Sequence, residues 1–205
     1  MDLDSFFVEL YNIDNDKLPD FCRKVILHGT PFVFKDNEDE FYEFRKRIAN
    51  KFFVYFNEVL ITGSAKLGFS PFKGTEFSLD SDVDVSIVSM VLYEKMMDDI
   101  LKFQIELRDH RRTVTEREIK MYHKFLEYTA LGWIRPDQLP VSFNLSILKN
   151  DWFDYFNSIS YEKSEVGNYK VSAGVFKSYR HLEEYTLIGL KQIKNSNKIK
   201  NVESI

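Results

Sequence analysis

Residues 81–88, Ser-Asp-Val-Asp-Val-Ser-Ile-Val, alternate polar and apolar side chains with a period of two. That period belongs to a β-strand, in which Asp82, Asp84 and Ser86 share one face and Val83, Val85 and Ile87 take the other. The run reads as a buried strand, so the chain must fold into a sheet covered on its apolar side. It also brings two carboxylates together. Like charges at the end of an apolar strand are costly unless cations neutralise them, and paired hard oxygen donors suit Mg2+ or Mn2+. Asp80, Asp82 and Asp84 alternate like the start of a calcium-binding loop. The glycine such a loop needs at its sixth place is Val85, however, and the glutamate at its twelfth is Val91, which excludes an EF-hand. The competing reading is a solvated face of an edge strand.

Upstream, Glu58–Thr62 forms a short apolar strand, and Gly63-Ser64 follows it at once. Glycine allows close backbone approach, and free amides in such a turn can face an anion, so a phosphate can dock there. An ordinary strand-to-helix turn with Ser64 as N-cap is the alternative. Lys66, two residues on, is a further phosphate ligand by charge.

A strand, a Gly-Ser turn, a short helix and a strand carrying Asp-x-Asp together resemble the pattern of the polymerase-beta-like nucleotidyltransferases, over Leu60–Val88. The spacer from Ser64 to Asp82 is longer than the family's usual one, and the excess lies in the turn-rich segment 70–80 with Pro71 and Gly74. The resemblance implies an α/β (α+β) fold with a mixed sheet flanked by helices and with helical N- and C-terminal additions. It implies transfer of a nucleoside monophosphate from a nucleoside triphosphate to a hydroxyl on RNA, protein, a nucleotide or a small molecule. Asp82 and Asp84 would hold two divalent ions, Mg2+ or Mn2+, and Gly63, Ser64 and Lys66 would bind the nucleotide. Small stand-alone members resemble toxins and antiphage defence components, which implies a possible partner protein of such a system. Many members carry a third carboxylate on a later strand. Here Val141–Leu148 is expected to be a strand, and its polar face offers Asn144 instead of an acid; Asp137, Asp151 and Glu165 stand in no such pattern. The missing acid keeps open a second reading, a non-catalytic module that binds a nucleotide or a protein.

The 205 residues carry a net charge of −4, so no global basic field points to tight nucleic-acid binding. The lone Cys22 cannot form an internal disulfide, and the N-terminal acids and short apolar runs give neither a signal peptide nor a membrane span, so a cytoplasmic protein is expected. Residues 1–36 read as a helical annex, 37–150 as the nucleotidyltransferase core, 151–195 as a helical and extended part of the same domain, and 196–205 as a polar tail. Within these, Asn37 and Glu40 open one helix and Thr115 and Glu118 another, as capping boxes. A helix over Leu92–Arg108 buries Met96, Ile100 and Phe103. Trp152–Phe156 predicts a short aromatic helix, Lys170–Phe176 a strand or extended loop, and Ser178–Lys194 a final helix. Lys170, Lys177 and Arg180 read as solvated charge more readily than as phosphate ligands.

Overall fold

The computed structural model describes residues 1–139 and 151–203, with side chains to residue 196. In chain order the helices and strands are α1 (Leu3–Asn12), α2 (Leu18–Phe21), α3 (Glu38–Phe52), β1 (Val59–Thr62), α4 (Gly63–Leu67), β2 (Phe69–Ser70) and β3 (Thr75–Glu76). Then follow β4 (Asp82–Val88), α5 (Met90–Arg108), α6 (Glu116–Ala130), β5 (Trp133–Ile134), α7 (Trp152–Ser158), β6 (Lys170–Phe176) and α8 (Tyr179–Glu203). The fold is mixed α+β, as the sequence implies. The expected strand over Val141–Leu148, with Asn144, lies outside the described residues.

The main sheet has the order β1-β4-β6-β5, with β4 antiparallel to β1 and parallel to β6, and β5 antiparallel to β6. Parallel pairing of β4 with β6 requires a crossover, which α5, α6 and α7 supply. Because the two strands run in register, with Asp82 beside Lys170 and Asp84 beside Ser172, their odd-numbered residues share one face and their even-numbered residues the other. Val83, Val85, Ile87, Val171 and Val175 bury the odd face against Phe44 and Ile48 of α3, Met96, Ile100 and Phe103 of α5, and Trp152 and Phe156 of α7. Each fully buried side chain of this size contributes about 1.5–3 kcal/mol.

Local signals start and stop these helices. Asn37 accepts from the Glu40 amide at 3.4 Å. Thr115 and Glu118 close a reciprocal capping box, with the Thr115 amide and hydroxyl donating to Glu118 and the Glu118 amide donating back to Thr115 Oγ1. Within the N-terminal annex, the chain continues after α2 as a π-helical turn, Cys22–Leu27. Segment 70–80 contains β3 and joins it to β2 as a small antiparallel hairpin, where a plain loop is expected. The C-terminal helix also runs further than its apolar stripe predicts, to Glu203, so most of the expected polar tail is helical.

A second core joins the N-terminal segment to α8. Phe6, Leu10, Leu18, Phe21 and Ile26 pack with Phe69 and with Leu187, Leu190 and Ile193. Cys22 lies within it, and burial pushes its thiol up to about 12, which leaves it protonated and unreactive at neutral pH. Among the described residues no helix is long and apolar enough to cross a membrane.

Candidate active site

The two aspartates and the Gly-Ser turn meet at one end of the even face. β1 ends with Thr62 opposite Asp84, and its hydroxyl lies 3.0 Å from that of Ser86. The chain then turns sharply at Gly63, whose φ of +67° is a left-handed conformation that side chains other than glycine adopt at a cost. A Cβ there would stand 2.8 Å from Asp84 Oδ2, so glycine lets the turn sit directly against the carboxylate. Ser64, half-buried, follows as the second residue of α4. Asp82, Asp84, Gly63 and Ser64 are therefore brought together.

Lys66 is not. It is buried, and its ammonium donates to the carbonyls of Gly29 at 2.6 Å and of His28 and Thr30. Burial lowers its pKa. The physical reason is helical direction: two residues after the turn, α4 points this side chain back toward the end of the preceding helical segment, where it ties down residues 28–30. The charge is that of a phosphate ligand, but the position is structural.

β6 supplies what the sequence left undecided. Lys170 Nζ lies 3.1 Å from Asp82 Oδ2, and Ser172 Oγ donates to Asp84 Oδ1 at 2.9 Å. Asp82 holds the Lys170 ammonium above its ordinary pKa, by hydrogen bond and by charge. Asp84 is exposed to solvent. The surrounding protein nonetheless desolvates it enough to raise its carboxyl above the usual range. Ser172 opposes that rise and the charge of Asp82 adds to it.

A further pair completes the surroundings. β5 places Trp133 and Ile134 opposite Phe176 and Val175, so Arg135, next in the chain, continues on the face of Trp133. Its guanidinium stacks 4.8 Å from the Trp133 ring centre and forks onto Asp137 at 3.1 and 2.7 Å. Arg135 and Asp137 act on Asp84 in opposite senses, the first lowering and the second raising its pKa. The alternation Trp133, Ile134, Arg135 was the available signal for this strand, but two residues of alternation are too few to identify one. Of the other acids, Glu165 is bound by Arg47 of α3 at 2.6 Å, which lowers its pKa, and Asp151 precedes α7.

Among the described residues, no three His, Cys, Asp or Glu side chains are grouped so as to hold a metal ion. Two carboxylates on one face still fit Mg2+ or Mn2+ when phosphate oxygens and water complete the shell, because Mg2+ commonly takes only one or two protein carboxylates beside a substrate's phosphates. No family model, curated protein or solved structure matches the chain.

Proposed function

We propose that the chain is a divalent-metal-dependent nucleotidyltransferase that moves a nucleoside monophosphate from a nucleoside triphosphate to a hydroxyl. The observation that carries this reading is the approach of Gly63 to Asp84, which sets the Gly-Ser turn against a carboxylate pair on one strand face. Asp82 and Asp84 would hold the divalent metal, and Gly63 and Ser64 the outer phosphates; the metal would supply a lower pKa at the acceptor hydroxyl and stabilisation of charge on the leaving group. The acceptor oxygen bonds to the α-phosphorus, the bond to the bridging oxygen breaks, and pyrophosphate leaves with that electron pair while the hydroxyl proton passes to solvent. Arg135, half-exposed beside Asp84, is suited to a phosphate oxygen. The net charge of −4 favours a small or protein acceptor over a long nucleic-acid track.

The test is incubation with each labelled triphosphate and Mg2+ or Mn2+, with pyrophosphate release as readout. Asp82→Ala and Asp84→Ala are expected to lower the rate by about 10³-fold or more, the several kcal/mol that metal stabilisation supplies. Release that persists in both variants overturns the assignment.

One observation favours a second reading, a non-catalytic nucleotide-binding module. The strand beside the aspartates presents Lys170 and Ser172 where an acid would strengthen metal binding. Metal-dependent nucleotide binding without turnover, seen as a thermal shift with no pyrophosphate, supports that alternative.

A further inference from the structure

The face that carries the two aspartates carries its own cation. We propose that Lys170 replaces one of the two divalent ions that a nucleotidyltransferase site is expected to hold, so that this site takes a single divalent ion beside the polyphosphate. The inference rests on the nucleotidyltransferase reading above and assigns its metal stoichiometry.

Three observations carry it. The first is position. Lys170 is the in-register neighbour of Asp82 on the adjoining parallel strand, and its ammonium reaches Asp82 Oδ2 at 3.1 Å. β6 pairing places the Lys170 backbone beside Asp82, so sheet register brings the two side chains within reach of each other. The second is charge. Asp82, Asp84 and Asp137 face Lys170 and Arg135, and three carboxylates against two cations leave one uncompensated negative charge. That balance accommodates one divalent ion arriving with an anionic polyphosphate. A second ion would sit against the Lys170 ammonium, with like charges repelling at close range.

The third is the donor set. At the β6 position beside Asp84, Ser172 donates a hydroxyl hydrogen to the carboxylate and adds no negative charge. Among the described residues no third acid or histidine joins the pair closely enough to form a metal cluster. While Lys170 engages an oxygen of Asp82, this face offers too little free anionic oxygen for two bridged ions, whereas one ion is served by the carboxylates and phosphate oxygens. Lys170 also relieves repulsion within the pair when no metal is bound.

The experiment is Mn2+ binding to the full chain, read from the paramagnetic resonance signal of free Mn2+ in the presence of a non-hydrolysable ATP analogue. Only ions lost in Asp84→Asn are counted. The parent is expected to bind about one such ion, Lys170→Arg about one, and Lys170→Met about two, since removing the ammonium reopens the second position. Two Asp84-dependent ions in the parent, or only one in a Lys170→Met protein whose circular dichroism matches the parent, overturn the role of Lys170 alone. No Asp84-dependent ion in any of the three overturns the nucleotidyltransferase reading, and this inference with it. The parent and Lys170→Arg counts decide the matter even if Lys170→Met does not fold.

Discussion

The even face of β4 and β6 has two ends built on opposite principles. At one end Asp82, Asp84, Lys170 and Ser172 form an open, charged surface. At the other, Phe176 stacks on Trp133 with ring centres 5.2 Å apart and planes 6° off parallel, and Tyr185 of α8 closes over both. Gly174 lies between the two, since any Cβ there would meet Trp133 Nε1 at 2.5 Å. The strands are continuous and in register throughout, so the contrast comes from side chains alone. The aromatic end contributes burial. The acidic end gains little from exposed ion pairing and sets two carboxylates against each other, which argues that it is kept for binding.

Substitutions can break this contrast, and the largest effect is expected at the aromatic end. Phe176→Ala removes a fully buried ring and should destabilise the fold by about 3–5 kcal/mol in urea unfolding. Loss below about 1 kcal/mol would show that the aromatic end does not anchor the sheet. Lys66→Met comes next. It leaves the carbonyls of residues 28–30 without their buried donor, and should cost about 1–3 kcal/mol while leaving triphosphate affinity per folded molecule unchanged. A selective loss of affinity would return Lys66 to the phosphate site. Gly63→Ala should cost about 1–2 kcal/mol for the left-handed backbone and turn the Asp84 carboxylate away, so nucleotide affinity should fall further than stability alone explains.

How much of this was legible in the sequence follows from the range of each signal. β4 was legible to within one residue, because its alternation is local. The N-cap of α3 and the capping box of α6 were legible for the same reason. The Gly63–Asp84 approach was half legible: residue types and order pointed to it, but the antiparallel register that sets Thr62 against Asp84 is tertiary. Lys170 and Ser172 were visible only as charge and a small polar residue, since their meaning depends on β6 lying parallel beside β4 across a long crossover. The reach of α8 was hidden because its C-terminal turns carry no continuous apolar stripe, the pattern on which a sequence reading relies.

The smallest effect has the opposite sign and sharpens the comparison most. Burial, assisted by Asp82, raises the Asp84 carboxyl above its unfolded value. The folded state therefore binds a proton more tightly than the unfolded chain. The stability this group contributes is present in full below the unfolded value, near pH 4, and is lost as pH rises through the higher folded value. At neutral pH the ionised group is a small burden. Asp84→Asn keeps the shape, lets Ser172 retain a hydrogen-bonding partner and removes that burden. It should stabilise the protein at pH 7 by about 0.5 kcal/mol, solvent access to the carboxylate having screened most of the penalty. At pH 4 the gain should vanish, and at every pH metal-dependent nucleotide binding should be weakened. A variant less stable than the parent at pH 7 would mean that Ser172 and Arg135 already compensate the charge of Asp84, so that this end of the sheet is held together by its aspartates as the other is by its aromatic rings.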